Sequence, residues 1–168
     1  MSRSTGYRRI LYRSIPAEAD FHRSDIAILR SAIRNNARVG ITGYLWRANG
    51  QFFQALHGPE AALEVLIAKI KSDPRHAEME ILLDTEADPQ TPFAEWSMGY
   101  DHFLAMELGV DLEEGDERPS LSRAQAEEIY ARIASAAETA RLFGSGFPYA
   151  RRSGETTESY LERLAEIG

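Results

Sequence analysis

Three polar side chains occupy positions that a purely hydrophobic core does not explain. Gln54 lies in the middle of an apolar run, so its neighbours on the same face of a β-strand are Phe52 and Leu56. Tyr12 lies in mid-strand on an apolar face, and Asn36 stands at the end of a predicted helix. A buried amide without hydrogen-bond partners costs about 1–3 kcal/mol. The sequence therefore requires a polar group that faces Gln54.

Two interpretations of these residues are open. In the first, Gln54 bonds to Tyr12 across the sheet and Asn36 caps the C-terminus of its helix, so that all three are structural. In the second, the three side chains line one pocket between two helices and the sheet. Such a pocket is narrow, flat and apolar with a few convergent polar groups, which suits a planar heterocycle.

The elements that would position these residues are predicted from hydrophobic periodicity and turn residues. Strands are predicted at residues 8–14, 39–47, 51–57 and 79–83, with a fifth inside 93–103. Helices with apolar residues at helical spacing are predicted at residues 24–36 and at about residues 59–73. The order β-α-β-β-α-β-β indicates a ferredoxin-like α+β sandwich, with both helices on one face of a mostly antiparallel sheet.

The sequence changes character after residue 104. Residues 107–119 are acidic and rich in turn formers, which favours a linker. A helix capped by Ser120 or Ser122 is predicted to run to residue 142, and a shorter helix spans residues 157–167, after a break at residues 144–148. This segment is too small to form a core alone. We therefore expect a domain at residues 8–104 and, at 105–168, a linker and C-terminal helices that pack on the sheet or on a partner.

Composition narrows the classes of function. The formal net charge of −7 argues against a general nucleic-acid binder, which normally presents a basic face. The absence of cysteine excludes disulfides, thiolate metal sites, cysteine nucleophiles and covalent cofactor chemistry at cysteine. No apolar stretch is long enough to cross a bilayer, and the polar N-terminus lacks the character of a signal peptide. A soluble, cytoplasmic protein is the resulting expectation.

Other chemistries have weaker support. Arg13 with Asn36 is faintly similar to the pair used by acylphosphatases, which share this type of fold, but residues 13–16 lack the glycine-rich phosphate loop of that family. His57 and His102 are candidates to face each other on neighbouring strands, yet two imidazoles alone make a weak metal site. The sequence has no Ser-His-Asp arrangement, and it has no GxGxxG motif that would indicate a Rossmann turn.

Five short segments form a recognisable set. The two longest are residues 34–43 (RNNARVGITG) and residues 51–59 (QFFQALHGP). The other three are residues 11–14, 73–76 and 93–98. In order and spacing, over residues 8–103, the set resembles the BLUF family, which are blue-light sensors that use FAD. No segment alone is specific, but five in register make a strong resemblance.

The resemblance implies a role for each polar residue that a plain core leaves unexplained. In the family, the flavin ring lies between the two helices on the sheet. Tyr12 would donate an electron and a proton to the excited flavin, and Gln54 would lie between Tyr12 and flavin N5 and O4 and rearrange after light. Asn36 would hold the O4/N3 edge of the ring. Trp96 and Met98, on the last strand, would compete for the space near Gln54 and carry the signal outward.

The resemblance also implies contacts with the rest of the cofactor. Ile28 and Phe52 would touch the ring, and a set of polar residues would reach the O2 edge, ribityl chain or phosphate: Asn35, Lys69, Asp73, Arg75 and His76. Lys69 departs from the arginine sometimes found there, which keeps the cation but loses the planar fork. His57 stands where the family usually has glutamate, which affects the sheet edge or a partner contact more than the photochemistry.

Glutamine suits such a relay because its amide can present either its oxygen or its nitrogen to the same neighbour. A hydrogen bond gained at flavin O4 lowers the excitation energy, so we expect a small red shift that reverses in the dark. The hypothesis is a blue-light photoreceptor that binds FAD, with FMN as the alternative flavin, and that is not an enzyme.

We expect the light signal to pass to a separate partner protein, because the residues after 104 are too few for a cyclase or phosphodiesterase domain. The C-terminal helices are expected on the sheet face opposite the flavin, and the helix with Ile129 and Ile133 is expected to support homodimers or higher homo-oligomers. No nucleic-acid or membrane partner is expected. Two competing hypotheses are a light-independent binding or regulatory domain and an acylphosphatase-like hydrolase. The colour and the phosphatase activity of the purified protein distinguish all three.

Overall fold

The computed structural model of the chain describes residues 6–17, 23–48, 51–93, 99–102, 120–143 and 154–167. Its elements are β1 (Tyr7–Pro16), α1 (Arg23–Val39), β2 (Thr42–Ala48), β3 (Gln51–Pro59), α2 (Glu60–Lys71), β4 (His76–Ala87), β5 (Gly99–His102), α3 (Arg123–Phe143) and α4 (Thr157–Ile167). This order confirms the predicted β-α-β-β-α-β-β domain followed by two helices. The hairpin turn at residues 49–50, the linker with the domain boundary near 104, the break at 144–148, Trp96 and Met98 lie outside the described residues.

The sheet has the strand order of a ferredoxin-like fold with one added strand. Its strands pair as β4-β1-β3-β2-β5, with the first four antiparallel and β5 parallel to β2. In the register of β1 with β3, Tyr12 lies opposite Gln54 and Leu11 lies opposite Ala55. Because side chains alternate along a strand, Tyr12 and Gln54 point to one face of the sheet, and Leu11 and Ala55 point to the other.

The helices α1 and α2 cover the face that carries Tyr12 and Gln54. The buried cluster on this face joins Tyr12 and Phe52 of the sheet to Ile33 of α1 and to Leu63 and Ile67 of α2. Both predicted helices therefore lie on one face of the sheet, as the sequence indicated. None of the described helices is long and apolar enough to span a membrane.

The helix α3 packs on the opposite face. Its start is fixed by a capping box, in which Ser122 Oγ accepts from the Gln125 N–H (3.2 Å) and Gln125 Oε1 accepts from the Ser122 N–H (2.8 Å). Ser122, not Ser120, is thus the cap. Ile129 and Ile133 are fully buried against the chain's own sheet, so these two side chains do not form a dimer surface. The homo-oligomer expected of this helix stays a prediction.

The helix α4 departs from the prediction that both C-terminal helices lie opposite the pocket face. It packs against α1, and Tyr160 and Leu164 are buried in the same cluster as Ile33. The two C-terminal helices therefore cover different faces of the sheet. The amphipathic pattern of α4 shows that it buries one side, but it does not specify the surface on which it packs.

Several element ends also differ from the prediction. The helix α1 continues three residues beyond Asn36 to Val39, and β2 starts only at Thr42. Gly40, at φ +76°, ends the helix, and the Ile41 N–H donates to the carbonyl of Asn36 (3.0 Å), as in a Schellman motif. The side chain of Asn36 is therefore not needed as a cap. The strands β1 and β4 are also longer than predicted, and β1 includes Pro16.

Candidate functional site

A cavity of about 280 Å³ opens between α1, α2 and the sheet, and its walls are mostly apolar. This volume is just below the range of about 300–1,000 Å³ that is typical of small-molecule sites. The ten residues for which the resemblance implied cofactor contact all line it: Tyr12, Ile28, Asn35, Asn36, Phe52, Gln54, Lys69, Asp73, Arg75 and His76. The fold thus brings together side chains from both helices and from two central strands of the sheet.

Tyr12 and Gln54 are hydrogen-bonded in the wall of this cavity. Tyr12 Oη donates to Gln54 Oε1, and the two residues are directly opposite each other in neighbouring strands. Both are buried, with 5% and 4% of their surface exposed. Burial raises the pKa of the Tyr12 phenol far above its ordinary value near 10, and the negative charge of Asp73 adds to this effect. The phenol therefore keeps its proton and remains a hydrogen-bond donor at neutral pH.

This bond unites the two interpretations that the sequence left open. Gln54 does bond to Tyr12, as the structural interpretation required. The same two side chains nevertheless line a cavity, together with Asn36, which is 1% exposed. The arrangement is therefore a polar pair in the wall of an apolar cleft.

The helix α1 forms one wall with side chains spaced three or four residues apart. Ile28, Ala32, Asn35 and Asn36 follow one helical face, and Ser31 lies beside them. Ser31 and Ala32 were not predicted, although helical spacing counted back from Asn36 would have found Ala32. Three further lining residues were also missed, since each looks like ordinary core in the sequence: Leu45, Leu66 and Ile70.

The end of α2 and the turn after it place charged groups at the cavity. Arg75 donates two side-chain hydrogen bonds to the Asp73 carboxylate, from Nε to Oδ1 (3.0 Å) and from a terminal nitrogen to Oδ2 (2.6 Å). This pairing lowers the pKa of the Asp73 carboxyl. Lys69 adds a second cation to the lining, so the charged residues there sum to a net positive charge.

His76 offers an unused hydrogen-bonding atom at the same place. Its Nε2 lies 2.6 Å from the carbonyl oxygen of Ile70, which can only accept, so Nε2 carries a proton. Its Nδ1 is buried and has no hydrogen-bond partner among the described residues. The ring centroid lies 6.2 Å from that of Tyr12. With a proton on Nε2, Nδ1 is the acceptor of the ring, and a bound molecule with a hydroxyl or N–H group would satisfy it.

The opposite side of β3 connects this site to α3. Phe53 and Ala55, the strand neighbours of Gln54, are fully buried in the cluster that contains Ile129 and Ile133 of α3. A change in the position of Gln54 therefore acts on a strand whose other face carries α3.

His57, which would make at most a weak metal site with His102, has a hydrogen-bond partner within the fold. Its Nε2 lies 2.7 Å from the carbonyl oxygen of Asp88, and its ring stacks on Tyr7. In the parts of the chain that the structure describes, no group of three or more histidine or carboxylate side chains is placed to hold a metal ion.

Comparison with known proteins adds three findings. The model of the family described as "Sensors of blue-light using FAD" matches residues 8–99. The photoactivated adenylate cyclase subunit beta of Euglena longa is 40% identical over 72 residues, which cover 43% of this chain and 8% of that protein. The chain therefore spans less than a tenth of this relative.

Solved structures match over much more of their own length. BlrB, a BLUF protein in its dark state, has 28% identity and a TM-score of 0.64, with 79% of this chain and 98% of that chain covered. The photo-activated state of BlsA has 26% identity and a TM-score of 0.65, with 76% and 94% covered.

Proposed function

The chain belongs to the BLUF family of blue-light sensors that use FAD, and we propose that it senses light by reversing the amide of Gln54 beside Tyr12. The observation that carries this proposal is the buried hydrogen bond from Tyr12 Oη to Gln54 Oε1 in the wall of an apolar cavity. A glutamine amide that turns about its last bond exchanges an acceptor for a donor with almost no change of shape.

The residues of the cavity fit a flavin. Ile28 and Phe52 supply apolar surface for the ring, and Asn36 supplies a buried amide. The unused Nδ1 of His76 needs a donor, which a ribityl hydroxyl would provide. Two cations of the lining, Lys69 and the Asp73-paired Arg75, suit the anionic phosphates of FAD. The family description favours FAD over FMN as the bound flavin.

A flavin held by these residues would supply the blue-light absorption and, when excited, the strong oxidant that accepts the electron and proton. Tyr12 is placed to give up an electron and the proton on Oη, since its phenol is protonated and buried in the cavity wall. When the proton returns, Gln54 would face the phenol oxygen with Nε2, which donates to Oη, in place of Oε1, which accepts from it. The hydrogen bonds that the amide offers to the cavity would change accordingly. The electron and proton end where they began, so no substrate is consumed.

We infer that the signal leaves through the sheet. Gln54 alternates along β3 with Phe53 and Ala55, whose side chains pack on α3. Trp96 and Met98, which precede β5, are the residues that we propose respond first to the reversed amide. The four residues of β5 pair with β2, which in turn pairs with β3. A shift of this edge would therefore reach the strand that carries Gln54.

We infer that the chain acts on a separate protein and is not itself an enzyme. Support comes from BlrB and BlsA, because this chain covers nearly all of each of those BLUF structures. The cyclase subunits that it also resembles are much longer, and the match covers only 8% of the Euglena longa protein. The identity of the partner is a question for a pull-down compared in light and darkness.

The test is the absorption spectrum of the purified full chain before, during and after blue light. A yellow protein with a small red shift that reverses in the dark supports the proposal. Bound flavin without a shift would leave only a light-independent binding domain. Colourless protein that stays colourless after incubation with FAD would refute the proposal altogether.

A further inference from the structure

The cavity wall formed by α1 depends on a helix far along the chain. Among the described elements, α4 makes the most extensive backbone contact with α1, whereas α2 contacts β1 and β3 directly. Tyr160 and Leu164 are 1% and 0% exposed and share a buried cluster with Ile33 of α1. A cavity separates part of α1 from α2 and the sheet, so α1 needs support from another side.

The helix α4 is itself held firmly at its N-terminal end. Thr156 caps it, with Oγ1 accepting from the Ser159 N–H (3.1 Å) and Ser159 Oγ accepting from the Thr156 N–H (3.0 Å). Arg163 reaches back to both carboxylate oxygens of Glu155, at 2.8 and 2.9 Å. The two side chains of this ion pair are only 15% and 10% exposed.

The same ion pair fixes the buried tyrosine. The guanidinium of Arg163 lies 5.3 Å from the centroid of the Tyr160 ring. Bidentate pairing restricts the guanidinium to one orientation, and the stacked guanidinium in turn restricts the ring. The side chain that α4 buries against the α1 cluster is therefore held by contacts within α4 and its cap.

We propose that α4 is a clamp on α1, and that Tyr160 and Leu164 are positioning residues for the flavin site. Their side chains set where α1 lies, and α1 sets where Ile28 and Asn36 meet the bound ring. This inference rests on the proposed function, because flavin is the ligand whose environment α1 would define. Coupling of this kind is reciprocal, so bound flavin must also stabilise the docking of α4.

The experiment uses the full chain with Leu164→Ala and, as the matched control, Glu162→Ala on the exposed side of the same helix. Leu164→Ala is expected to weaken FAD binding and to speed dark recovery by between about 2-fold and 30-fold, the usual range for residues that act through a packed neighbour. Glu162→Ala should leave both within about twofold of the original chain. If Leu164→Ala does not fold, Glu155→Gln is the second variant, because it weakens the ion pair without opening a cavity in the core. It should also weaken FAD binding and speed dark recovery.

Two readouts separate positioning from general destabilisation. Amide hydrogen exchange of Leu164→Ala should quicken in α1 but not in α2 or β3, with and without FAD. In the original chain, removal of FAD should quicken exchange in α4. Equal α1 exchange and equal FAD affinity in the variants and in Glu162→Ala would overturn the inference. An original chain without a light response would instead refute the proposed function, while the exchange pattern of α1 would still decide whether α4 is a clamp.

Discussion

Removing one oxygen from Tyr12 should abolish the light response and lower stability by a modest amount. In Tyr12→Phe, Gln54 Oε1 loses the phenol O–H from which it accepts. A buried hydrogen bond contributes about 0.5–1.5 kcal/mol net to stability, so we expect a loss of about 1 kcal/mol. The phenol that could give up a proton is also gone, so no red-shifted state should accumulate.

Tyr130→Phe is the matched control. Tyr130 also lies in a buried cluster, but on the α3 side of the sheet, and its Oη has no hydrogen-bond partner among the described residues. Removing that oxygen should leave stability unchanged or raise it by about 1 kcal/mol, and the light response should persist.

The assay combines urea unfolding in darkness with absorption spectra under saturating blue light for the original chain and both variants. We expect Tyr12→Phe to lower stability, Tyr130→Phe to leave it unchanged or raise it, and only Tyr12→Phe to lose the red shift. A red-shifted state in Tyr12→Phe with an unchanged lifetime would refute the assignment of Tyr12 as donor. Loss of the shift in Tyr130→Phe would mean that the response depends on the opposite face instead.

Three further predictions concern packing, pH and charge. Gly58→Ala should destabilise the fold by about 1–3 kcal/mol in urea, because the added carbon would lie 2.9 Å from Cγ1 of Ile41; an unchanged midpoint would contradict the close packing. Burial raises the folded-state pKa of Tyr12 and Tyr130 above the unfolded value of about 10. Stability should therefore be constant below pH 10 and fall as the pH rises beyond 10, and a urea midpoint that does not change across this range would contradict the prediction. Arg75→Gln should weaken FAD binding by roughly tenfold or more in a fluorescence titration, while equal affinity would place the phosphates elsewhere.

The sequence was most informative about the sheet and its inward residues. Alternation placed Tyr12 and Gln54 on one face because a two-residue period allows only two choices. It also identified α2 and its end, since Pro59 and Pro74 flank the helix. The ends of α1 were less accessible, because Val39 reads as a strand residue and only the positive φ of Gly40 reveals the helix end.

The position of α4 could not be predicted from its own pattern. Tyr160, Leu161 and Leu164 show that one side of α4 is buried, but several apolar surfaces were available to it. The cavity also contains Leu45 and Ile70, which no local signal distinguishes from core. A void among apolar residues is a property of three-dimensional packing. The sequence therefore indicated most of the polar residues of the cavity but not all of the apolar residues that line it.

The central claim is that light reverses the amide of Gln54, and Gln54→Leu compared with Gln51→Leu tests it most directly. Gln51 lies on the same strand and is also buried, but it points to the opposite face and its Oε1 has no hydrogen-bond partner among the described residues. Light-minus-dark absorption spectra of the flavin-loaded variants should show no red shift for Gln54→Leu and an undiminished shift for Gln51→Leu. A stable red-shifted state in Gln54→Leu would contradict the account.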